Sequence, residues 1–268
     1  MLYERVVELK VGDTEITGLD IAFEIEKDES PEPNPCHIEI YNLGPENRSV
    51  LSKYRYVPVL LKAGYKGQVG VLFQGDMMRC VHMKEGPTWK TILASGDGVM
   101  AMQTKRLDKN YAKGTPIKTV IEDLAKQLGL PLGSPLEHIK ELSESLSKGF
   151  AASGNPMKDL GRVLSGKKLK LSVQNQSLQL RMDTEPLQKE AIVLRDETGL
   201  IASPEIGSDG EIVVKSLLMA EFLPGRKVFL DSAIFKGFAI IQSAHFVGST
   251  FGQDWEAELT CSAASMGI

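Results

Sequence analysis

The C-terminal part of the sequence, residues 191–261, constrains the fold more than any other stretch because it is a succession of short apolar runs. The clearest run is WEAELTC at residues 255–261, in which apolar and polar residues alternate strictly. A period of two is typical of a strand with one buried and one solvated face. The preceding runs are separated by Gly, Pro, Ser and Asp, which favour turns. Since no helical pattern interrupts these strands, we expect an antiparallel sandwich or small barrel.

Residues 1–100 form a second β-rich block. The acidic, proline-broken segment 27–35 is expected to be a surface loop, because each proline removes a hydrogen-bond donor from a strand. A short helix is expected at residues 45–54, since proline is favoured at the first helical position. The tight Lys66–Gly67 region predicts a hairpin. Six strands are expected, at residues 7–11, 19–25, 37–43, 57–65, 69–78 and 88–94. Together they predict a small barrel.

The middle of the chain has helical periodicity instead. One amphipathic helix is expected between Thr115, a candidate N-cap, and Gly129, a candidate stop. The capping box SPLE at residues 134–137 predicts a second helix, and Asn155 before a proline predicts a third. Alternating runs at residues 168–173 and 177–182 then predict two strands around the turn Asn175–Gln176. This is a compact α+β insert between two β blocks.

Composition excludes several classes of protein. The formal net charge is −4 and the basic residues are scattered, so no basic face for nucleic-acid binding is expected. No apolar run approaches the roughly 20 residues of a membrane span, and the N-terminus lacks the pattern of a signal peptide. Three cysteines, odd in number and far apart, make a disulfide framework improbable. We therefore expect folding in a reducing cytosol with buried thiols.

No motif singles out a catalytic or binding residue. GRVLSGKK at residues 161–168 has the skeleton of a phosphate-binding loop, but Lys168 replaces the Ser or Thr that would hold magnesium, and the expected order is helix, loop, strand. No histidine shares a zinc-like spacing with other ligands, although a site assembled from distant strands stays open. No GxSxG elbow is present, and SGDG at residues 95–98 is typical of a turn. We assign no catalytic, cofactor-binding or metal residues and no cofactor, and expect no enzyme.

Nine phrases that follow one another along most of the chain carry a family resemblance. They are HIEIYNLGPENRSVL (37–51), VLFQGDM (71–77), ILASGDG (92–98), GTPIKTVIEDLAKQLGL (114–130), NPMKDLGRVLS (155–165), ETGLIASPEI (197–206), LPGRKVFL (223–230), GFAIIQSAHFVG (237–248) and DWEAELTC (254–261). Each phrase alone is a weak signal, because strands, turns and caps are common in proteins. The order in which the phrases follow one another carries the resemblance. Taken together they resemble the baseplate hub proteins of tailed bacteriophages, relatives of the hub of contractile tails and injection systems.

The resemblance implies a mainly β fold with an α+β insert. Two tube-type antiparallel β-barrel domains, at residues 1–100 and 187–268, would flank a small α/β region at residues 101–186. It also implies a homotrimer whose six barrels surround a DNA channel and join a six-fold tail tube to a three-fold spike. The implied partners are the tail tube or distal tail tube protein, the central spike and the baseplate wedge proteins, with DNA only as transient cargo.

The location implied is the tail baseplate of the virion, assembled in the bacterial host cytoplasm, in a tail that we expect to be contractile. The hairpin at residues 63–71 is the expected inter-subunit contact. A mildly acidic chain also suits a channel wall that repels passing DNA. Two alternatives stay open: a tail-associated cell-wall hydrolase, and a carbohydrate-binding β-protein of a host-recognition apparatus.

Overall fold

The computed structural model describes residues 4–133, 136 and 139–264, and the elements named below belong to these residues. The strands of the first part are β1 (Arg5–Val11), β2 (Thr14–Ile16), β3 (Ile21–Asp28), β4 (Pro35–Tyr41), β5 (Pro58–Tyr65), β6 (Gln68–Glu85) and β7 (Thr88–Gly96). The six expected strands are thus confirmed, and β2 is added. The first helix is α1 (Pro45–Leu51), which begins at its proline as predicted.

The middle of the chain contains three helices and four strands. They are α2 (Val99–Thr104), β8 (Leu107–Tyr111), α3 (Ile117–Leu128), β9 (Phe150–Gly154), α4 (Pro156–Leu164), β10 (Leu169–Gln174) and β11 (Ser177–Met182), with a 3-10 turn at Lys140–Leu142. Strands β8 and β9 pair with each other, as do β10 and β11. The β10–β11 hairpin is confirmed, and its turn residues Asn175 and Gln176 both have positive φ angles.

The ends of these helices test the capping predictions. Gly129 ends α3 in the left-handed conformation, as expected. Thr115 as N-cap is wrong: Pro116 occupies that position, and the Thr115 hydroxyl donates to the carbonyl of Ala112 instead. The side chain of Asn155 accepts from the backbone N–H of Met157 and caps α4, as predicted. The capping box at residues 134–137 lies mostly outside the described residues. The helix predicted after it is not found in residues 139–149, where Lys140–Leu142 form only a 3-10 turn.

The regular structure of the last part of the chain is again mostly strand. Its strands are β12 (Ala191–Leu194), β13 (Glu205–Ile206), β14 (Glu211–Leu217), β15 (Lys227–Asp231), β16 (Lys236–Ser249) and β17 (Trp255–Ala263), with a 3-10 turn at Asp196–Thr198. In β17 the four apolar residues that alternate in the sequence are all buried. The pairing departs from the expected antiparallel pattern at one place, since β12 and β15 run parallel.

Strands of both terminal parts join in one thirteen-stranded sheet. Its order is β13-β14-β17-β16-β3-β4-β7-β6-β5-β1-β2, with β15 beside β16 and β12 beside β15. The expectation of two closed barrels is therefore wrong, since among the described residues neither part closes on itself. The reason lies in the long strand β16, whose second half pairs with β3. Each of two separate barrels would close by pairing its own edge strands. Here β3 of the first part pairs with β16 of the last part instead.

The hydrophobic cores follow the same division. One core contains buried residues from both terminal parts, such as Ile25 and Phe246, which face each other across the β3–β16 pairing. Among the described residues, the buried side chains of a second core all come from residues 101–180, where α3 and α4 pack together. Burial of a side chain the size of Phe246 contributes roughly 2–3 kcal/mol. The mainly β architecture with an α+β insert is thus confirmed.

Arg5 adds a further link between the ends of the chain. Its guanidinium donates to the backbone carbonyls of Ser249, Gly252 and Gln253 and lies 5.2 Å from the centre of the Trp255 ring. The first strand therefore holds the loop between β16 and β17. Among the described residues, no helix has the length and hydropathy of a bilayer span.

Candidate functional site: an acidic sheet face and a hairpin cleft

The sheet presents a carboxylate-rich face on the side away from its core. Glu24 and Glu26 are two residues apart on β3, so both point to the same face. The strand register aligns Glu26 with His245 of β16, and His245 with Glu258 of β17. Glu256 lies on the same face of β17. We call these five residues the acidic face; it spans the pairing that joins the two terminal parts of the chain.

His245 lies at the centre of this acidic face. Its Nε2 atom is 2.9 Å from a carboxylate oxygen of Glu24, and both side chains are about half exposed, at 40% and 55%. One donor atom from each of Glu24, Glu26 and His245 lies within 4.8 Å of the other two. Glu258 makes a looser ion pair, 3.6 Å from Lys215. The acidic face therefore contains more negative than positive charge.

A shallow cleft of about 430 Å³ opens at one end of the acidic face. Its walls come from β3, β16 and β17 together with the acidic loop at residues 28–35. The side chain of Lys27 lies on the opposite face of β3 from Glu24 and Glu26 and is only 2% exposed. Burial lowers the pKa of this ammonium to about 8, against an opposing attraction from Asp97.

Asp97 organises the contact between the sheet and the insert. It is fully buried and accepts hydrogen bonds from the backbone N–H groups of Asn175 and Gln176, the latter at 2.7 Å. The side chain of Asn175 in turn accepts from the Lys27 ammonium at 2.8 Å. Burial raises the pKa of Asp97 to about 6, outweighing these hydrogen bonds and the charge of Lys27. We call Lys27, Asp97 and Asn175 the buried junction.

A second ion pair reinforces this contact. The guanidinium of Arg181 on β11 binds the carboxylate of Glu29 through two nitrogens, and the two side chains are 4% and 7% exposed. The same Arg181 donates to three backbone carbonyls of residues 182–185. Such a bidentate pair fixes orientation as well as distance. The β10–β11 hairpin is therefore held firmly against the sheet.

A larger cleft of about 910 Å³ lies beside the β5–β6 hairpin. It is lined by residues 65–70 of that hairpin and by residues 192–193, 197–199 and 217–221. The hairpin approaches the opposite wall closely: a Cβ atom built on Gly70 would lie 2.5 Å from the Cβ of Ala220. We call this space the hairpin cleft. Its lining residues come from both terminal parts of the chain.

The sequence-predicted features fall in different places. Residues 161–164 of the phosphate-loop skeleton lie in α4 and are followed by β10, so the expected order of helix, loop and strand is confirmed. Cys36 is buried while its neighbour His37 is exposed, as expected for successive strand residues. Burial raises the pKa of the Cys80 thiol to about 11 and that of Cys261 to about 12. The expected hairpin at residues 63–71 borders the larger cleft.

Two features escaped the sequence analysis. The SGDG segment was expected to be a turn only, whereas its Asp97 holds the β10–β11 hairpin. The grouping of His245 with Glu24 and Glu26 depends on a pairing between residues more than 200 positions apart. No local spacing signals such a pairing, because strand partners are chosen by the whole fold. The sequence analysis had assigned no residue to a metal site.

Neither protein-family models nor curated protein sequences match this chain. Solved structures do resemble it. A prophage MuSo2 43 kDa tail protein from Shewanella oneidensis has a TM-score of 0.69 at 10% identity, with 96% of both chains covered. An Escherichia coli component of the type VI secretion system, described as similar to the bacteriophage T4 tail proteins gp27 and gp5, has a TM-score of 0.63 at 11% identity. The match covers 96% of this chain and 77% of that one.

A third similar structure is a chain of a Francisella PdpA–VgrG complex, with a TM-score of 0.56 at 10% identity. The match covers 98% of this chain and 58% of the other. In all three comparisons the match extends over nearly the whole length of this chain. The resemblance found in the sequence is thereby confirmed for the fold: this chain has the fold of bacteriophage tail proteins, shared with a component of the type VI secretion system.

Proposed function

We propose that this chain is a structural protein of a phage tail baseplate, and that it acts as the central hub. The observation that carries the proposal is the likeness to a prophage tail protein over 96% of both chains. The likeness to a secretion component described as similar to T4 tail proteins supports the same role. The working parts of such a protein are surfaces, and catalytic residues are not required.

The hub is a homotrimer in this proposal. Residues 1–100 and 187–268 of each chain provide two β-rich units, and residues 101–186 form the middle domain. The two units are not separate barrels, because one sheet unites them. Three copies still present six β-rich units around one channel. The tail tube or distal tail tube protein lies above this ring, the spike below, and the wedge proteins around it, in the virion of a contractile tail.

The acidic face is the proposed channel wall. It is formed by adjacent strands β3, β16 and β17 and contains four carboxylates, of which those of Glu24, Glu26 and Glu258 are exposed and that of Glu256 is partly buried. Like charges repel the phosphates of passing DNA, so the wall lets DNA move without holding it. Replacing Glu256 and Glu258 by Lys in an assembled tail should slow ejection of the genome. The same change at Glu15, on the edge strand β2, serves as control, and equal ejection by all three tails would exclude this role.

The β5–β6 hairpin is the proposed contact between subunits. Its tip, Lys66 to Gln68, is exposed, and it stands beside the open hairpin cleft. Light scattering and native mass spectrometry give the mass of the assembly, and electron microscopy shows whether it is a ring. Gln68→Arg should weaken the trimer, whereas Glu85→Arg at the exposed tip of the β6–β7 hairpin should not.

The same measurements of mass and shape on the wild-type protein test the hub function as a whole. A trimeric ring with an open centre, formed alone or with the spike added, supports the hub. A compact monomer that clears peptidoglycan would instead show the cell-wall hydrolase, and a monomer that binds host glycans would show the carbohydrate-binding protein. Either result would overturn the hub.

A further inference from the structure

Three donor groups suited to a metal ion converge on the acidic face. Glu24 and Glu26 each offer a carboxylate oxygen, and His245 offers an imidazole nitrogen. All three side chains reach solvent, so an ion can enter without rearrangement of the core. The three donors also belong to the interior of a sheet, on strands held by neighbours on both sides. Their backbones are therefore fixed in position.

The spacing is close to that of a coordination shell. The three donor atoms lie within 4.8 Å of one another. In a tetrahedral zinc site, bonds of roughly 2.1 Å separate neighbouring ligands by roughly 3.4 Å. Rotation of the two exposed glutamate side chains can bring their oxygen atoms to this shorter separation, because the terminal torsions of glutamate are broad. Three protein ligands leave the fourth position of a tetrahedral shell for a water molecule.

The types of donor select the kind of ion. Magnesium and calcium prefer shells made only of oxygen atoms, whereas an imidazole nitrogen suits Zn²⁺ and similar transition metals. Thiols are the usual competitors for zinc. Those of Cys36 and Cys261 are fully buried. The thiol of Cys80 is only partly buried, but its burial raises its pKa to about 11 and so disfavours the thiolate that zinc binds.

We propose that Glu24, Glu26 and His245 bind a zinc-class divalent cation that links β3 to β16. This pairing is the one by which the first and last parts of the chain share a sheet, among the residues that the structure describes. A bound ion replaces the hydrogen-bonded contact between His245 and Glu24 by coordinate bonds to both strands. It therefore stabilises the link between the two β-rich units. The site lies on the acidic face proposed above as the channel wall, but binding of the ion can be measured whether or not the chain forms a hub.

The test is a titration of the purified, tag-free protein with Zn²⁺ alone, followed by calorimetry and by thermal unfolding. Wild type should bind one Zn²⁺ per chain, and a hundredfold excess over the dissociation constant should raise the melting temperature by roughly 5 °C. His245→Gln and Glu26→Gln should each bind at least roughly tenfold more weakly. Mg²⁺ at the same concentration should produce no shift.

His37→Gln is the matched control. His37 is exposed on β4 and aligned with Glu24, but it does not belong to the group of three donors. This variant should bind Zn²⁺ as wild type does. Because Glu26 and His37 are exposed and His245 is about half exposed, melting without metal should be nearly the same in every variant, which separates lost binding from lost folding. Undiminished binding by His245→Gln, equal loss in His37→Gln, or no binding by wild type would each overturn the site.

Discussion

Replacement of Asp97 by Ala tests how the insert is held against the sheet. The carboxylate is fully buried and accepts from two backbone N–H groups, those of Asn175 and Gln176. Alanine leaves both donors without their acceptor in a partly buried turn. A buried donor that loses its partner costs about 1–3 kcal/mol. Two such donors are affected, and removal of the unfavourable buried charge offsets part of the loss. We therefore expect the free energy of unfolding to fall by about 3 kcal/mol.

Urea unfolding measures this change. With a slope of about 2–3 kcal/mol per molar, the midpoint should fall by roughly 1 M. Asp209→Ala is the matched control, because Asp209 accepts from the backbone N–H of Glu211 in an exposed turn. Its midpoint should fall by no more than roughly 0.2 M. Hydrogen exchange at residues 175–176 should accelerate only in the Asp97 variant. Equal midpoints for the two variants would refute the role of the buried junction.

Four further substitutions test Asp97 again and three other positions. The folded-state pKa of Asp97, about 6, exceeds its ordinary value of 3.8. Between these two pH values the folded protein therefore binds more protons than the unfolded chain. The stability of wild type relative to Asp97→Asn should fall by up to about 3 kcal/mol as the pH rises from the lower value to the higher. A rise in relative stability would show that the N–H groups outweigh burial. Arg5→Ala should cost about 2 kcal/mol in thermal unfolding, since three carbonyls lose a charged donor; an unchanged melting temperature would contradict this. Gly248→Ala should destabilise by about 1–3 kcal/mol, because its Cβ would lie 2.2 Å from a phenylalanine ring. Gly161→Ala, in open space on α4, should stabilise by about 1 kcal/mol, and equal effects of the two glycine changes would refute the packing argument.

Local pattern was sufficient for the long strands with one buried face and for the amphipathic helices α3 and α4, whereas the six-residue helix α2 was not predicted. The run at residues 255–261 alternates because every second residue enters the core, and Asn155 was identified as a cap because its chemistry acts within two residues. Strands β8 and β9 were missed for the opposite reason. Strand β8 is LDKNY, with three exposed residues in its middle, and it has no alternation to detect.

Non-local pairing could not be read from the sequence. The expected barrels assumed that each β block would satisfy its own edges, whereas β16 pairs with β3. The site missed for the same reason is the group of Glu24, Glu26 and His245. Asp97 was missed because a turn aspartate in a sequence looks the same whether it faces water or the N–H groups of a distant hairpin.

The pairing of β3 with β16 also has a consequence for synthesis on the ribosome. When residues 1–100 have emerged, β3 has an unpaired edge, and its partner is still about 200 residues away along the chain. Sheets built from such distant contacts form slowly, and open edges attract the edges of other chains. Until β16 is made, a nascent chain is exposed to aggregation and to holding chaperones. A chain truncated before β16 would lack a complete sheet, so only fully translated copies should be competent to assemble.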